Sequence, residues 1–407
     1  MYYPRSLNDI WLEASKQFPA LLLTGPRQVG KTTFLQHLCE GSRTYITLDD
    51  PASRSLANED PALFMKRFEP PVLIDEIQYA PNLMPFIKMA VDTSKKTGQF
   101  WLTGYQQFLM MKGMSETLAG RVAILNLLGF SGRERYRSKL NVQPFIPEKQ
   151  MLDSRAPYVK KANLKRIYND IWTGGFPALI AGPAKNKELY YSSYLQTYLQ
   201  RDVRNLTQVG DEISFLKFIR ACAARTGQLL NLSDIAKDTD VSIPTAKNWL
   251  SILQASFQVY LLQPYHSNIT KRLIKTPKLY FLDTGLCSYL TEWASPETLE
   301  TGAMSGAIFE TYVLTELLKS FWHKGLQPVL CYYRDKDKKE IDFLIEQNQK
   351  LYPVEVKKAG MPKKDWVKSF SALQKLKKDI GHGVVVSMVE KIFPIDDSND
   401  AVPITTL

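Results

Sequence analysis

The sequence predicts an α/β protein in three regions, and three observations carry that prediction. Short apolar runs alternate with helical stretches from about residue 18 to 130, the pattern of a parallel sheet covered on both faces. Gly25-Pro26-Arg27-Gln28-Val29-Gly30-Lys31-Thr32 completes the pattern G-x-x-x-x-G-K-[ST] where the first strand should hand over to a helix. Near the other end, Asp342 and the Glu355/Lys357 pair lie on two strand-like segments. At 407 residues the chain exceeds what one ordinary core holds, and we divide it into regions 1–140, 141–295 and 296–407.

In the first region, Pro19-Ala20-Leu21-Leu22-Leu23 reads as a buried strand and Thr33-Phe34-Leu35-Gln36-His37-Leu38 as the start of a helix. The loop between them is the phosphate-cradling kind, and each residue has a mechanical task. Gly25 and Gly30 allow the tight turn; Pro26, Arg27, Gln28 and Val29 supply backbone that wraps a phosphate. Lys31 is expected to reach the β- and γ-phosphates, the Thr32 hydroxyl to ligate Mg²⁺, and Thr33 to add the next helical N–H. The expected cofactors are ATP and Mg²⁺.

Further strands are read at Tyr45-Ile46-Thr47-Leu48, Val72-Leu73-Ile74, Phe100-Trp101-Leu102 and Ala123-Ile124-Leu125. The second of these ends in Asp75-Glu76, the Walker B pattern: Asp75 is expected to hold Mg²⁺ and Glu76 to polarise the attacking water as general base. Thr103, at the end of the following strand, is the candidate to position that water; the alternative is a plain strand-ending turn. Arg121 is a candidate to neutralise γ-phosphate charge, in cis or from a neighbouring subunit of a homo-oligomer. Its alternative is a surface pair with Glu116.

The charged stretch Arg133 to Lys139 reads as the passage out of this core. Residues 160 to 265 look mainly helical. Within them, Leu232 to Ala236 and Ser242 to Leu250 read as two helices joined by a short turn, with Ser233 and Ser242 as N-caps. Two readings stay open: a helix-turn-helix on which Lys247 and Asn248 stand out, or a packed pair in a winged-helix-like fold used between domains.

From about residue 300 the pattern runs helix, then strands, then a Lys-rich helical tail. Glu355 and Lys357 are two apart on one strand and so share a face, which Asp342 on the preceding strand can meet. The layout looks like a PD-(D/E)xK nuclease core, in which two acids hold a divalent ion and a lysine activates water. Glu310, on a helix beginning near Gly306, is the candidate to complete that metal shell. The alternative is a scaffold that no longer cuts, with the acids and lysine in an ion pair. Lys336, Lys338, Lys339, Lys358, Lys363 and Lys364 could hold a DNA backbone or form a solvated face.

The formal charge of +11 suits a phosphate-rich partner such as DNA, or serves solubility alone. Cys39, Cys222, Cys287 and Cys331 are scattered without C-x-x-C pairing, which points to a reducing compartment and no structural zinc. No stretch reaches membrane-spanning length and Met1 to Arg5 opens no apolar signal core, so the expected location is cytoplasmic.

Together, Gly25 to Thr32, Ile74-Asp75-Glu76-Ile77-Gln78, Leu102-Thr103-Gly104 and Leu118-Ala119-Gly120-Arg121 resemble a prokaryotic family of AAA-type P-loop ATPases. Trp172 to Pro177 and Tyr198 to Val203 are similar to that family's linking segments. The resemblance implies a C-terminal domain of unknown function with a restriction-endonuclease-like fold. Where that family usually has Ser after Thr-Gly, this chain has Tyr105. Three functional readings follow: an ATP-driven switch, an ATP-regulated nuclease, and a nucleotide-gated DNA-binding regulator using residues 229 to 265.

Overall fold

The structure is a computed structural model that describes residues 2–39, 41–104, 118–138, 143–161, 163–198, 212–266 and 275–407. The chain divides into two compact units, the first built mainly from residues 1–130 and the second mainly from 131–407. Tyr105, Glu116 and the segment Leu199 to Val203 lie outside the described residues.

The first unit is a five-stranded sheet in the order β2-β3-β4-β1-β5. Its strands are β1 (Ala20–Thr24), β2 (Thr44–Thr47), β3 (Val72–Asp75), β4 (Phe100–Gly104) and β5 (Val122–Asn126). Every pairing is parallel, as the alternating pattern requires. β1, β3 and β4 are buried along their whole length, so continuous apolar runs rather than alternating ones mark them. Helices α1 (Asn8–Gln17), α2 (Lys31–Cys39), α3 (Pro51–Glu59), α4 (Pro61–Arg67) and α5 (Leu83–Ser94) connect and cover the strands. Asp50 and Asp60 cap α3 and α4, accepting from the N–H of Ser53 at 2.8 Å and of Leu63 at 2.9 Å. On one face Leu22, Ile74, Phe100 and Leu102 pack with Phe64, Ile87 and Val91. On α1, Trp11 meets Trp101 edge-on at 5.4 Å.

The register decides where the site forms. Thr24 stands opposite Gly104 and Asn126, and Asp75 opposite Thr47, so the carboxyl ends of the strands finish together. In parallel α/β sheets this is the end at which ligands bind.

The second unit carries two sheets. Helices Glu212–Ala223, Leu232–Asp238 and Ile243–Ala255 accompany a three-stranded antiparallel sheet in the order β6-β8-β7, with β6 (Gln228–Leu229), β7 (Val259–Leu262) and β8 (Lys278–Phe281). Ser242 caps its helix as expected, its hydroxyl accepting from the Thr245 N–H at 3.1 Å. The preceding helix is capped by Asn231 rather than Ser233, because the Asn231 amide oxygen reaches the Asp234 N–H at 3.3 Å.

The glycines of the Trp172 to Pro177 segment mark a close crossing of two chain segments. Gly174 has φ +79°, and a Cβ there would lie 2.4 Å from the Tyr191 hydroxyl and 2.5 Å from Asp283 Oδ1. The Asp283 carboxylate also accepts from the Gly175 N–H at 2.7 Å and from Tyr191 at 2.9 Å.

The long helix Ser305–Trp322 leads into a mixed sheet ordered β14-β15-β13-β11-β10-β9. Its strands are β9 (Leu330–Arg334), β10 (Glu340–Gln347), β11 (Lys350–Lys357), the short β12 (Asp379–Ile380, beside β11), β13 (Gly383–Ser387), β14 (Phe393–Asp396) and β15 (Asn399–Pro403). β9, β10 and β11 are antiparallel neighbours, while β11, β13 and β15 run parallel. The expected helical tail is only a 3₁₀ stretch, Lys364–Leu376, followed by four more strands. The Val384-Val385-Val386 run explains the difference: three consecutive β-branched residues, all buried, favour a central strand. Among the described residues no helix is long and apolar enough to cross a membrane.

Candidate functional site

In the first unit, the loop between β1 and α2 needs its first glycine. Gly25 has φ +149°, and a Cβ there would sit 2.0 Å from the Leu127 carbonyl oxygen. Gly30 has φ +87° and turns the chain into α2, whose first residue is Lys31. The positive end of that helix's dipole therefore lies at the loop. The Lys31 ammonium, only 6% exposed, donates to the carbonyls of Gly25 at 3.0 Å and Pro26 at 2.8 Å. Its charge is thus held inside the loop's ring of backbone.

Asp75 ties three strands to this loop. Its carboxylate accepts from the Thr32 hydroxyl at 2.9 Å, the Tyr45 hydroxyl at 3.2 Å and the Thr103 hydroxyl. Burial, then the Asp75 charge, pushes the Tyr45 phenol up to about 12, so it stays a donor at neutral pH. Thr103 also accepts from the Glu76 N–H at 3.0 Å. Its hydroxyl thus links the Asp75 carboxylate to the Glu76 backbone and holds the two residues in place.

Glu76 sits in the left-handed region, φ 59° and ψ 47°, a conformation that costs a non-glycine residue about 1–3 kcal/mol unless its surroundings enforce it. The Thr103 bond and the Gln78 side-chain amide, which donates to Glu76 Oε2, supply that enforcement. Burial raises the Glu76 pKa above the ordinary carboxylate value, and the Lys31 charge opposes the rise only in part. A raised carboxyl with its backbone locked suits a general base. The donor set also fits Mg²⁺ and a triphosphate: a hydroxyl and a carboxylate already adjacent for a hard cation, and a buried ammonium for phosphate oxygens.

Arg121 does not join them. Its carbonyl accepts from the Ala20 N–H, at the start of β1, whereas the loop leaves the far end of that strand. Its guanidinium makes a two-point pair with Asp92 on α5, with Nη2 to Oδ2 at 3.3 Å, while Glu116 lies outside the described residues. A cis role at the γ-phosphate is excluded by this placement, because β1 separates the two by about 13 Å at 3.3 Å per residue.

In the second unit the residues Glu310, Asp342, Glu355 and Lys357 are brought into one cluster. β10 and β11 pair with Phe343 opposite Val354, and Asp342 Oδ2 accepts from the Val356 N–H at 2.8 Å. Lys357 bonds Glu355 at 2.6 Å. Three residues that sequence reading missed complete the cluster. The Lys278 ammonium, on β8, lies 3.2 Å from Glu310 and 2.6 Å from Glu340, and the Tyr280 hydroxyl donates to Glu310. Burial raises Glu310, Asp342 and Glu355, and the negative charge of Asp342 adds to the rise at Glu310 and Glu355. For Lys278 burial works against the charge, yet Glu310, Asp342 and Glu340 hold its pKa above the ordinary lysine value. The expected metal shell is not what forms: among the described residues no group of three His, Cys, Asp or Glu side chains is placed to hold a metal ion. Lysine nitrogens lie against these carboxylates instead.

The chain is 30% identical over 392 residues to an uncharacterized protein of Mycobacterium tuberculosis and, equally, to one of Mycobacterium bovis. The match spans 95% of this chain and 80% of each relative. It belongs to their family. Residues 17–136 match an AAA domain, 164–297 a domain of unknown function (DUF8612), and 305–407 another (DUF4143). Among solved structures, a Walker-type ATPase of Pyrococcus abyssi aligns with TM-score 0.41 and 16% identity, over 71% of this chain and 96% of that one. The Thermotoga maritima RuvB Holliday junction branch migration motor aligns with TM-score 0.32 and 17% identity, over 63% and 88%. By the family match, residues 17–136, which hold the loop and its two acids, are an AAA-type P-loop ATPase-like domain.

Several residues that shape the AAA domain were given no individual role by the sequence. Tyr45 and Gln78 act through the two acids. Arg5, 5% exposed, donates to the carbonyls of Val29 at 2.9 Å and Leu128 at 2.7 Å and lies over the Phe130 ring at 4.8 Å. It pins the phosphate loop to the chain after β5. Bonds from a charged donor to buried carbonyls are worth about 1.5–3 kcal/mol each. We expect Arg5→Ala to lower the first thermal unfolding transition by several degrees, measured by circular dichroism, and to weaken nucleotide binding.

Proposed function

We propose that this chain hydrolyses ATP with Mg²⁺ and uses the bound nucleotide as a switch on how its second unit engages a partner. The observation that supports hydrolysis, beyond binding, is the hydroxyl-carboxylate network that ties Thr32, Asp75, Thr103 and the Glu76 backbone into one rigid set. Thr32 and Asp75 would hold Mg²⁺, which supplies Lewis-acid neutralisation of the phosphate charge. Lys31 exchanges its two carbonyl partners for phosphate oxygens, and the stronger charge-assisted bonds to anionic oxygen offset the loss of the carbonyls. Glu76, raised and locked, takes a proton from the attacking water.

The central region reads as winged-helix-like: the order helix, strand, helix, helix, strand, strand and the sheet order β6-β8-β7 support it. The mixed sheet behind helix Ser305–Trp322 reads as a restriction-endonuclease-like scaffold that presents a surface rather than cuts. DNA is the partner that the +11 charge and the exposed Lys336, Lys338, Lys339, Lys363 and Lys364 suit. Lys358 is withdrawn from that surface, since it pairs with Glu300. Arg121 remains available to a neighbouring subunit of a homo-oligomer, at the price of its pair with Asp92.

Lys31→Ala tests the reading at its base. Calorimetric titration with Mg-ATP should show a loss of affinity of at least about 10²-fold, because the phosphate charge loses its one buried ammonium. Unchanged affinity would remove the loop from the mechanism.

A further inference from the structure

We infer that the Arg27 side chain, and not only its backbone, is catalytic: its guanidinium neutralises the γ-phosphate charge from within the subunit, the task for which Arg121 stands at the wrong end of the sheet. The inference deepens the ATPase reading above and rests on it.

Sheet order and reach carry it. Arg27 leaves the loop after β1, and its Nη2 donates to the Tyr79 hydroxyl at 3.5 Å. Tyr79 ends the 3₁₀ turn Ile77–Tyr79, which begins directly after Glu76 at the end of β3. β4 lies between β1 and β3 in the sheet, so the two loops stand two strand spacings apart, roughly 10 Å. A side chain that joins them passes over the end of β4, where Thr103 holds the Glu76 N–H. A triphosphate cradled by Gly25 to Lys31 brings its γ-phosphate to this same place, because water activated by Glu76 must attack it there.

Charge and tether suit the task. Burial lifts the Glu76 carboxyl, and the charges of Lys31 and Arg27 both pull against that lift, so the guanidinium is felt at the base. The bond to Tyr79 is long, and the turn is held without it. Arg54 covers the Tyr79 ring at 4.2 Å, and the Asn58 amide donates to the Tyr79 carbonyl at 2.9 Å. Arg27 can therefore exchange a neutral hydroxyl for an anionic oxygen, a stronger charge-assisted bond, and leave the turn fastened. In the reaction the water oxygen bonds to the γ-phosphorus and its proton passes to Glu76. The bond from that phosphorus to the β–γ bridging oxygen breaks, and its electron pair leaves on ADP. Between the two events charge spreads over the equatorial oxygens, and a planar, forked guanidinium is the side chain that matches it.

The test compares the full chain as wild type, Arg27→Ala, Arg27→Gln and Tyr79→Phe. Phosphate release gives turnover. Calorimetry gives affinity for Mg-ATP and for Mg-ADP with aluminium fluoride, a stand-in for the phosphoryl group in transit. Arg27→Ala and Arg27→Gln should cut kcat by about 10³-fold or more, while Mg-ATP affinity stays within about tenfold of wild type. Both should lose the tight aluminium fluoride complex that wild type forms. Tyr79→Phe keeps the ring and removes only the hydroxyl, so its turnover should stay within about tenfold and the complex should survive. Arg27 variants that turn over within about tenfold of wild type, or that lose Mg-ATP affinity as much as rate, overturn the inference. So does a Tyr79→Phe that falls as far as Arg27→Ala, since Arg27 would then serve only to place the turn. If Arg27→Ala does not fold, Arg27→Gln decides by the same readouts. A wild type that releases no phosphate overturns the ATPase reading and this inference together; an active wild type beside unaffected Arg27 variants overturns this inference alone.

Discussion

Glu76→Gln should leave Mg-ATP affinity within a few-fold of wild type and cut steady-state turnover by about 10²–10⁴-fold, the range that general-base catalysis contributes. The substitution is nearly isosteric, so the amide keeps the Gln78 contact and the backbone keeps its bond to Thr103. Only the capacity to accept a proton is lost. Titration of nucleotide separates the two parameters: binding survives, hydrolysis does not. The pH profile adds a sign. Burial raises the Glu76 carboxyl, and a base works only when deprotonated, so turnover should fall as pH drops through a value above the ordinary glutamate range. In Glu76→Gln that acid limb should disappear from the residual rate. A variant that kept wild-type turnover would reassign the base.

Gly25→Ala should be nearly as damaging for a different reason. The added methyl would lie 2.0 Å from the Leu127 carbonyl oxygen and 3.0 Å from its carbon, both backbone atoms that no rotamer change can move. At φ +149° an alanine is strained even without that contact. The loop must therefore shift away from the end of β5, and Lys31 with it. A displacement on the order of 1 Å in a positioning element costs about 10²-fold. Mg-ATP affinity and turnover should fall together, by calorimetry and by phosphate release, and the Tm should drop because Arg5 loses its register with Val29. A Gly25→Ala protein with wild-type affinity would show that the loop conformation described here is not the one that binds.

Much of the first unit was legible because its signals are local. A continuous apolar run, a glycine-bounded loop and a strand ending in two acids each fit within a few residues, and parallel pairing follows from their alternation. What stayed hidden acts across the chain. Arg5 reaches Val29 and Leu128, and Tyr45 reaches Asp75, with no pattern in sequence to link them. Arg121 looked like a phosphate ligand by residue type, but strand direction puts it at the wrong end of the sheet in its own subunit. Thr103 was found, but its bridge from the Asp75 carboxylate to the Glu76 backbone crosses strands and has no mark in the sequence.

The C-terminal cluster teaches the same lesson in electrostatic terms. Spacing placed Asp342, Glu355 and Lys357 on facing strands, and they meet. The counter-charge that decides their chemistry, Lys278, comes from another sheet. A motif read within one region could not reveal the lysine that closes it.

The most direct test of the central claim is phosphate release from ATP by the full chain, with Mg²⁺ and with excess chelator, for wild type and Lys31→Ala. Mg²⁺-dependent release in wild type that falls by at least about 10²-fold in Lys31→Ala is the predicted result. Release that survives both chelation and the loss of Lys31 would contradict it.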